Sequence, residues 1–255
     1  MHIDTVGQGR DLVLLHGWAM HGGIFAPILP RLREHYRVHV VDMPGHGFSR
    51  EHESRFELRD VVQRLHQRFP RAAYVGWSLG GLVAMQMAST HPESVTALGV
   101  IAAAPSFVKR AGDQHGVDVS LFEQFRDDLA ENYRRTIERF LALEALDDEH
   151  AQSCLRTLKA QVFERGEPNT HALEDGLNIL AHTNLTDRLS HIGCPSYWIA
   201  GARDRLVSHE AMARAAQTCR GRFLRLDHAG HAPFISQPAE VDRAIETLMR
   251  EADGA

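Results

Sequence analysis

Short, mostly apolar runs of four to seven residues alternate along this chain with stretches whose apolar positions recur every three or four residues. Leu12 to Leu15, Tyr36 to Val41, Ala72 to Val75, Val95 to Ile101, Tyr197 to Ala200 and Phe223 to Leu226 read as strands buried on both faces. Helices fit between most of them, as at Phe56 to Phe69 and Leu82 to Ser89. This alternation predicts an α/β protein with a mostly parallel sheet and helices on both faces. Functional groups in such a sheet gather at the carboxyl ends of the strands. Between Pro105 and about Leu185 the alternation stops, and the chain reads as helices with loops, including Leu121 to Ala145 and Glu149 to Phe163. The insertion follows one predicted strand and precedes another, which is where a cap over the strand ends belongs. A single domain is therefore expected over 1–255, with its core at 1–104 and 186–255 and a helical cap at 105–185.

Composition narrows the setting without naming a chemistry. The 255 residues are 44% hydrophobic and 24% charged, ordinary for one soluble domain. A net charge of −5 gives no general attraction to nucleic acid or anionic membranes. Cys154, Cys194 and Cys219 are odd in number and form no C-x-x-C pair, which argues against a disulfide framework. The start, Met1-His2-Ile3-Asp4, has neither a basic n-region nor an apolar h-region, and no apolar run is long enough for a membrane span. We expect a cytoplasmic monomer.

The chemistry lies in loops that follow predicted strands. Gly76-Trp77-Ser78-Leu79-Gly80 spells G-x-S-x-G between a strand and a helix, the setting of a nucleophile elbow; the plainer reading is a Gly-rich turn with a capping serine. A serine hydroxyl needs a base, and the base an orienting acid. Asp204 and His231 occupy two later strand-end loops. Serine, acid, then histidine is the chain order of the α/β-hydrolase fold. His228 competes for the role of base, and Asp42 for that of acid, although Asp42 better suits the turn Pro44-Gly45-His46-Gly47. An oxyanion needs backbone donors, for which Leu79 and, after Leu14-Leu15-His16-Gly17, Trp18 are placed. The Trp18 ring is open between a pocket wall and ordinary packing. The histidines show no H-E-x-x-H or similar spacing, so neither metal nor cofactor is expected.

Four segments together resemble the pimeloyl-[acyl-carrier protein] methyl ester esterases of biotin synthesis. They are Leu12 to Trp18, Gly76 to Ala84, Arg135 to Leu143 and His231 to Ser236. The third lies in the cap, which usually varies with substrate. The resemblance implies hydrolysis of a methyl ester at the far end of a pimeloyl chain carried on acyl carrier protein. It also implies a substrate path along Trp18, Ser78, Leu79, Phe140, Leu141, Ala142, Leu143, Glu144 and His231. Core packing is the competing reading for Phe140, Leu141 and Leu143. An acidic carrier would dock on Arg135 and Arg139, at i,i+4 spacing, and on Arg156 and Lys159. The cap as a whole is not basic, with nine Lys/Arg against fifteen Asp/Glu, and Glu131 and Glu138 could engage the arginines. Two positions depart from the family pattern: Gln152 stands where the family has a basic residue, and Glu144 where it has glutamine.

The same triad could serve a general short-chain carboxylesterase, a carbon–carbon bond hydrolase or a thioesterase. A haloalkane dehalogenase would want an aspartate at position 78. A hydrolase-fold small-molecule receptor is the alternative outside the enzymes, and sustained turnover distinguishes it.

Overall fold

A computed structural model of the chain describes residues 1–51, 55–112 and 115–254. Seven strands form one sheet: β1 (His2–Val6), β2 (Arg10–Leu15), β3 (Tyr36–Asp42), β4 (Ala72–Trp77), β5 (Val95–Ile101), β6 (Ser196–Gly201) and β7 (Arg222–Leu226). Their order is β1-β3-β2-β4-β5-β6-β7, with β1 antiparallel to β3 and every other pair parallel. The six expected strands all form. The seventh, β1, was not anticipated from the sequence: it pairs at an edge, is nowhere fully buried, and interleaves His2 and Asp4 with its apolar residues.

The core helices are α1 (Leu29–His35), α2 (Leu58–Arg68), α3 (Leu79–Thr90), α7 (His209–Thr218), α8 (Pro233–Ser236) and α9 (Pro238–Glu251). The helix α2 buries Val61, Val62 and Leu65 and turns its charged residues outward. By contrast, α3 is buried from Leu79 to Ser89, as its nearly uninterrupted run of apolar and small residues requires. Between β5 and β6 lie α4 (Val119–Ala145), α5 (Ala151–Gln161) and α6 (Thr170–His182). The backbone N–H of Leu185 donates to the Pro105 carbonyl at 2.8 Å, which brings the two ends of this stretch together.

The long helix α4 is broken at Asn132, whose φ of −156° and ψ of 88° are not helical. Its side chain accepts a hydrogen bond from Arg135 N at 3.1 Å, so Asn132 ends one helix and caps the next. In the parallel sheet, Leu15 pairs with Gly76, Trp77 with Ile101, and Gly201 with Leu226. The carboxyl ends of β2, β4, β6 and β7 therefore share one edge of the sheet, and the loops leaving them converge there. Among the described residues, no helix is long and apolar enough to cross a membrane.

Candidate active site

Ser78 joins β4 to α3 with φ 54° and ψ −118°, a strained conformation for a residue with a side chain. Close backbone contact explains the flanking glycines. A Cβ on Gly76 would lie 2.1 Å from the Gly80 carbonyl oxygen, and one on Gly80 would lie 2.2 Å from that of Leu15. The Ser78 N–H donates to the Ile101 carbonyl at 3.0 Å, tying the turn to the neighbouring strand.

His231 Nε2 is 2.9 Å from Ser78 Oγ, and its Nδ1 is 2.8 Å from Asp204 Oδ2. The acceptor on Asp204 assigns the Nδ1–H tautomer, which leaves Nε2 free to accept the serine proton. The other Asp204 oxygen accepts hydrogen bonds from Leu206 N at 2.8 Å and Val207 N at 3.1 Å. His231 is itself clamped at both ends of its backbone. Its N–H donates to the Glu144 carbonyl at 3.2 Å, and its carbonyl accepts from Trp77 Nε1 at 2.8 Å. Burial disfavours the imidazolium, but the charge and hydrogen bond of Asp204 outweigh it, and the His231 pKa lies above the ordinary 6.5. Glu144 adds to this pull only when ionised.

The two rival residues have other partners. His228 is exposed, beside Arg203 at 3.1 Å and Glu149 at 3.7 Å. Asp42 is buried and accepts from Gly22 N and Phe48 N at 2.8 and 2.9 Å, while the Arg165 guanidinium lies 3.1 Å away. It orders the 44–49 turn.

Leu79 is the first residue of α3, where a backbone N–H has no acceptor within the helix and the helix dipole favours an anion. Trp18 follows a carbonyl with a dedicated anchor. His16 Nδ1 donates to the Gly17 carbonyl at 2.7 Å, and its Nε2 accepts from Met43 N at 3.0 Å. In a trans peptide the carbonyl and the next N–H point opposite ways, so anchoring the Gly17 oxygen fixes the direction of the Trp18 N–H. Burial, first of all, drives the His16 pKa well below its ordinary value and keeps the ring neutral for both bonds. The sequence reading gave His16 no role.

The profile of the alpha/beta hydrolase fold matches residues 12–238. A pimeloyl-[acyl-carrier protein] methyl ester esterase of Xanthomonas campestris pv. campestris (strain B100) is 48% identical over 250 residues, covering 98% of each chain. One of Stenotrophomonas maltophilia (strain K279a) is 46% identical, covering 100% of this chain and 99% of its own. The chain belongs to this esterase family. Among solved structures, an esterase from Exiguobacterium antarcticum superposes with a TM-score of 0.87 at 21% identity, covering 99% of this chain and 95% of its own, and shares the fold.

In this esterase α4 and α6 pack against the Trp18 loop with aromatic and aliphatic side chains. The Trp18 ring packs against Phe140 at 4.7 Å between centroids, Phe140 against Phe125 at 5.2 Å, and Trp18 Nε1 donates to the Leu173 carbonyl at 2.8 Å. Phe140, Leu141 and Glu144 are buried, Leu143 is half-buried, and Ala142 faces solvent. Asp148, on the loop after α4, is a further residue missed in the sequence. Its Oδ2 accepts from Gly230 N at 2.7 Å and from Ser236 Oγ at 2.9 Å, bracketing the His231 loop. A capping acid ahead of α5 was its only sequence signal.

The four basic residues expected to dock a carrier divide into two pairs. Arg139 pairs with Asp128 and lies over the Phe125 ring, and Lys159 sits 3.8 Å from Glu138. Arg135 and Arg156 are exposed, and among the described residues neither side chain has an ion-pair partner. Away from the triad, at the amino end of the sheet, His66, His91 and Glu93 bring possible metal-ligand atoms within 4.8 Å of one another. The two rings stack at 4.0 Å, and His66 Nδ1 lies 2.9 Å from Ser94 Oγ.

Proposed function

We propose that this esterase removes the methyl group from the far end of a pimeloyl chain borne on acyl carrier protein, releasing methanol and a free carboxylate for biotin synthesis. The observation that carries the reading is the hydrogen-bonded chain Ser78–His231–Asp204, together with the packing of the Trp18 ring on Phe140 of α4. The full-length similarity to pimeloyl-[acyl-carrier protein] methyl ester esterases narrows the ester.

His231 takes the Ser78 proton as Oγ attacks the ester carbonyl. The Trp18 and Leu79 amides hold the resulting oxyanion, and Asp204 steadies the imidazolium. His231 then protonates departing methanol. Water, deprotonated by the same nitrogen, releases the acid from Ser78. The buried aromatic and aliphatic wall suits a neutral methyl ester and disfavours an ionised chain end, which would lose its hydration on entry. The product is thus a poorer occupant than the substrate.

The acidic carrier docks on the exposed cap cations, with Arg135 and Arg156 free to engage it and Arg139 and Lys159 already paired with Asp128 and Glu138. The net charge of −5 and the three free cysteines favour a reducing, cytoplasmic setting with neither nucleic acid nor membrane as partner. The direct test is methanol release from methyl-pimeloyl carrier protein against free dimethyl pimelate, with the carrier thioester monitored. We expect preference for the carrier-linked ester and an intact thioester. The Arg135→Glu, Arg156→Glu double variant should lose about tenfold in kcat/KM on the carrier-linked ester and less than twofold on the free one. Equal losses on both refute docking, and thioester cleavage refutes the methyl-ester reading.

A further inference from the structure

Glu144 presents a carboxyl group at the reacting atoms that the mechanism above does not use. Its side chain has no exposed surface, and neither oxygen has a hydrogen-bond partner among the described residues. Its Oε1 lies 4.0 Å from His231 Nε2, the same nitrogen that faces Ser78 Oγ at 2.9 Å. Other buried polar atoms without partners, on His46, Gln161 and Asp242, lie on groups with no recorded contact to Ser78 or His231. Helix packing fixes the position of Glu144, since Phe140, Leu141 and Ala145 are buried on the same face of α4.

We propose that Glu144 serves this site as an uncharged carboxylic acid, donating a hydrogen bond to the ester group that enters beside Ser78 and His231, and that its ionisation switches the esterase off. The inference rests on the reading that Ser78 attacks an ester. With the carbonyl oxygen turned to the Trp18 and Leu79 amides, the alkoxy oxygen is the remaining acceptor. That oxygen must lie near His231 Nε2 to receive the proton with which methanol leaves, and hence near Glu144. Glu144 transfers no net proton in the cycle. It orients the alkoxy oxygen and polarises its bond to carbon as His231 delivers the proton. An unpartnered acid offers its donor to whatever acceptor arrives, and a substrate with no oxygen at that point leaves it unsatisfied.

Burial is the main cause that lifts the Glu144 pKa to about 8; His231 lowers it and Asp204 raises it. Among the described residues, no other titratable group shifts it from the packed elements. On α6, Asp175 is bound to Arg55 and Phe56 N, and on α5 the Cys154 thiol is engaged with Asp148. Once ionised, Glu144 loses its donor and places a negative charge beside the developing oxyanion in a site of low dielectric, which raises the barrier.

The test is the pH profile of kcat/KM for methanol release from dimethyl pimelate, a substrate that needs no carrier, in wild type, Glu144→Gln and Glu144→Leu. In the wild type the rate should fall above about pH 8. Glu144→Gln, which keeps a neutral donor, should hold its neutral-pH rate within about threefold and lose the alkaline fall, standing about tenfold above wild type one pH unit beyond the midpoint. Glu144→Leu should lose about tenfold near neutrality. Difference infrared spectra should show a protonated-carboxyl band that titrates with the same midpoint and is missing in Glu144→Gln. An unchanged alkaline fall in Glu144→Gln, or no protonated carboxyl in wild type near neutrality, overturns the role of Glu144. A wild type inert toward methyl esters overturns the ester reading as well.

Discussion

On the two sides of the His231 ring stand two carboxyl groups, each with a side chain almost wholly removed from solvent. Asp204, on the core side, meets three donors: Leu206 N, Val207 N and His231 Nδ1. Glu144, on the cap side, meets none, and burial holds its proton to about pH 8. Depth is the same for both, so the supply of donors separates them. A buried carboxylate is tolerable where backbone donors meet it; where they do not, burial favours the neutral acid.

The comparison can be broken in three ways. Ser78→Ala removes the hydroxyl that faces His231, and kcat for methyl-ester hydrolysis should fall on the order of 10⁴-fold or more with the melting temperature nearly unchanged. Asp204→Asn keeps shape but reverses the hydrogen bond to His231 Nδ1. It should cost about 10³- to 10⁴-fold in kcat, against about threefold for Glu144→Gln near neutral pH. Similar losses for the two would erase the distinction. The third effect is on stability. The Glu144 pKa is raised on folding, so its contribution is fully present below about 4.5 and is lost as pH rises through about 8. Thermal melts across that window should show Glu144→Gln gaining on wild type by up to a few kcal/mol, with titrations shared by both proteins cancelling. A constant difference would place Glu144 in an ionised state throughout.

The core side of this comparison was legible in the sequence because each part follows a strand. A run such as Ala72 to Val75 announces a buried parallel strand, and parallel strands deliver their following loops to one edge. Ser78, Asp204 and His231 could therefore be grouped across 153 residues without a contact map. Strand β1 escaped because an edge strand with polar residues on an exposed face leaves no apolar run. The cap side was readable only in outline. Its helices were visible from periodicity, but the phase of α4 is reset at Asn132, so the facing of Glu144 and Ala142 depends on a break that Leu121 to Ala145 does not advertise. Asp148 and His16 act through backbone partners, and such bonds leave almost no trace in side-chain pattern.

Hydrogen bonds between the end of α4 with its following loop and the segment around His231 carry an evolutionary consequence. The Glu144 carbonyl receives the His231 N–H, and Asp148 receives Gly230 N and Ser236 Oγ, so the segment between β5 and β6 also holds His231 in place. In this chain that segment cannot be exchanged without regard to the backbone of the His231 loop. A transplanted 105–185 segment would have to bring matching acceptors, or the recipient would inherit a new pocket over a histidine that no longer faces its serine. Side chains such as Phe140, Leu141 and Glu144 are free to change, while the backbone that presents them is tied to the loop below.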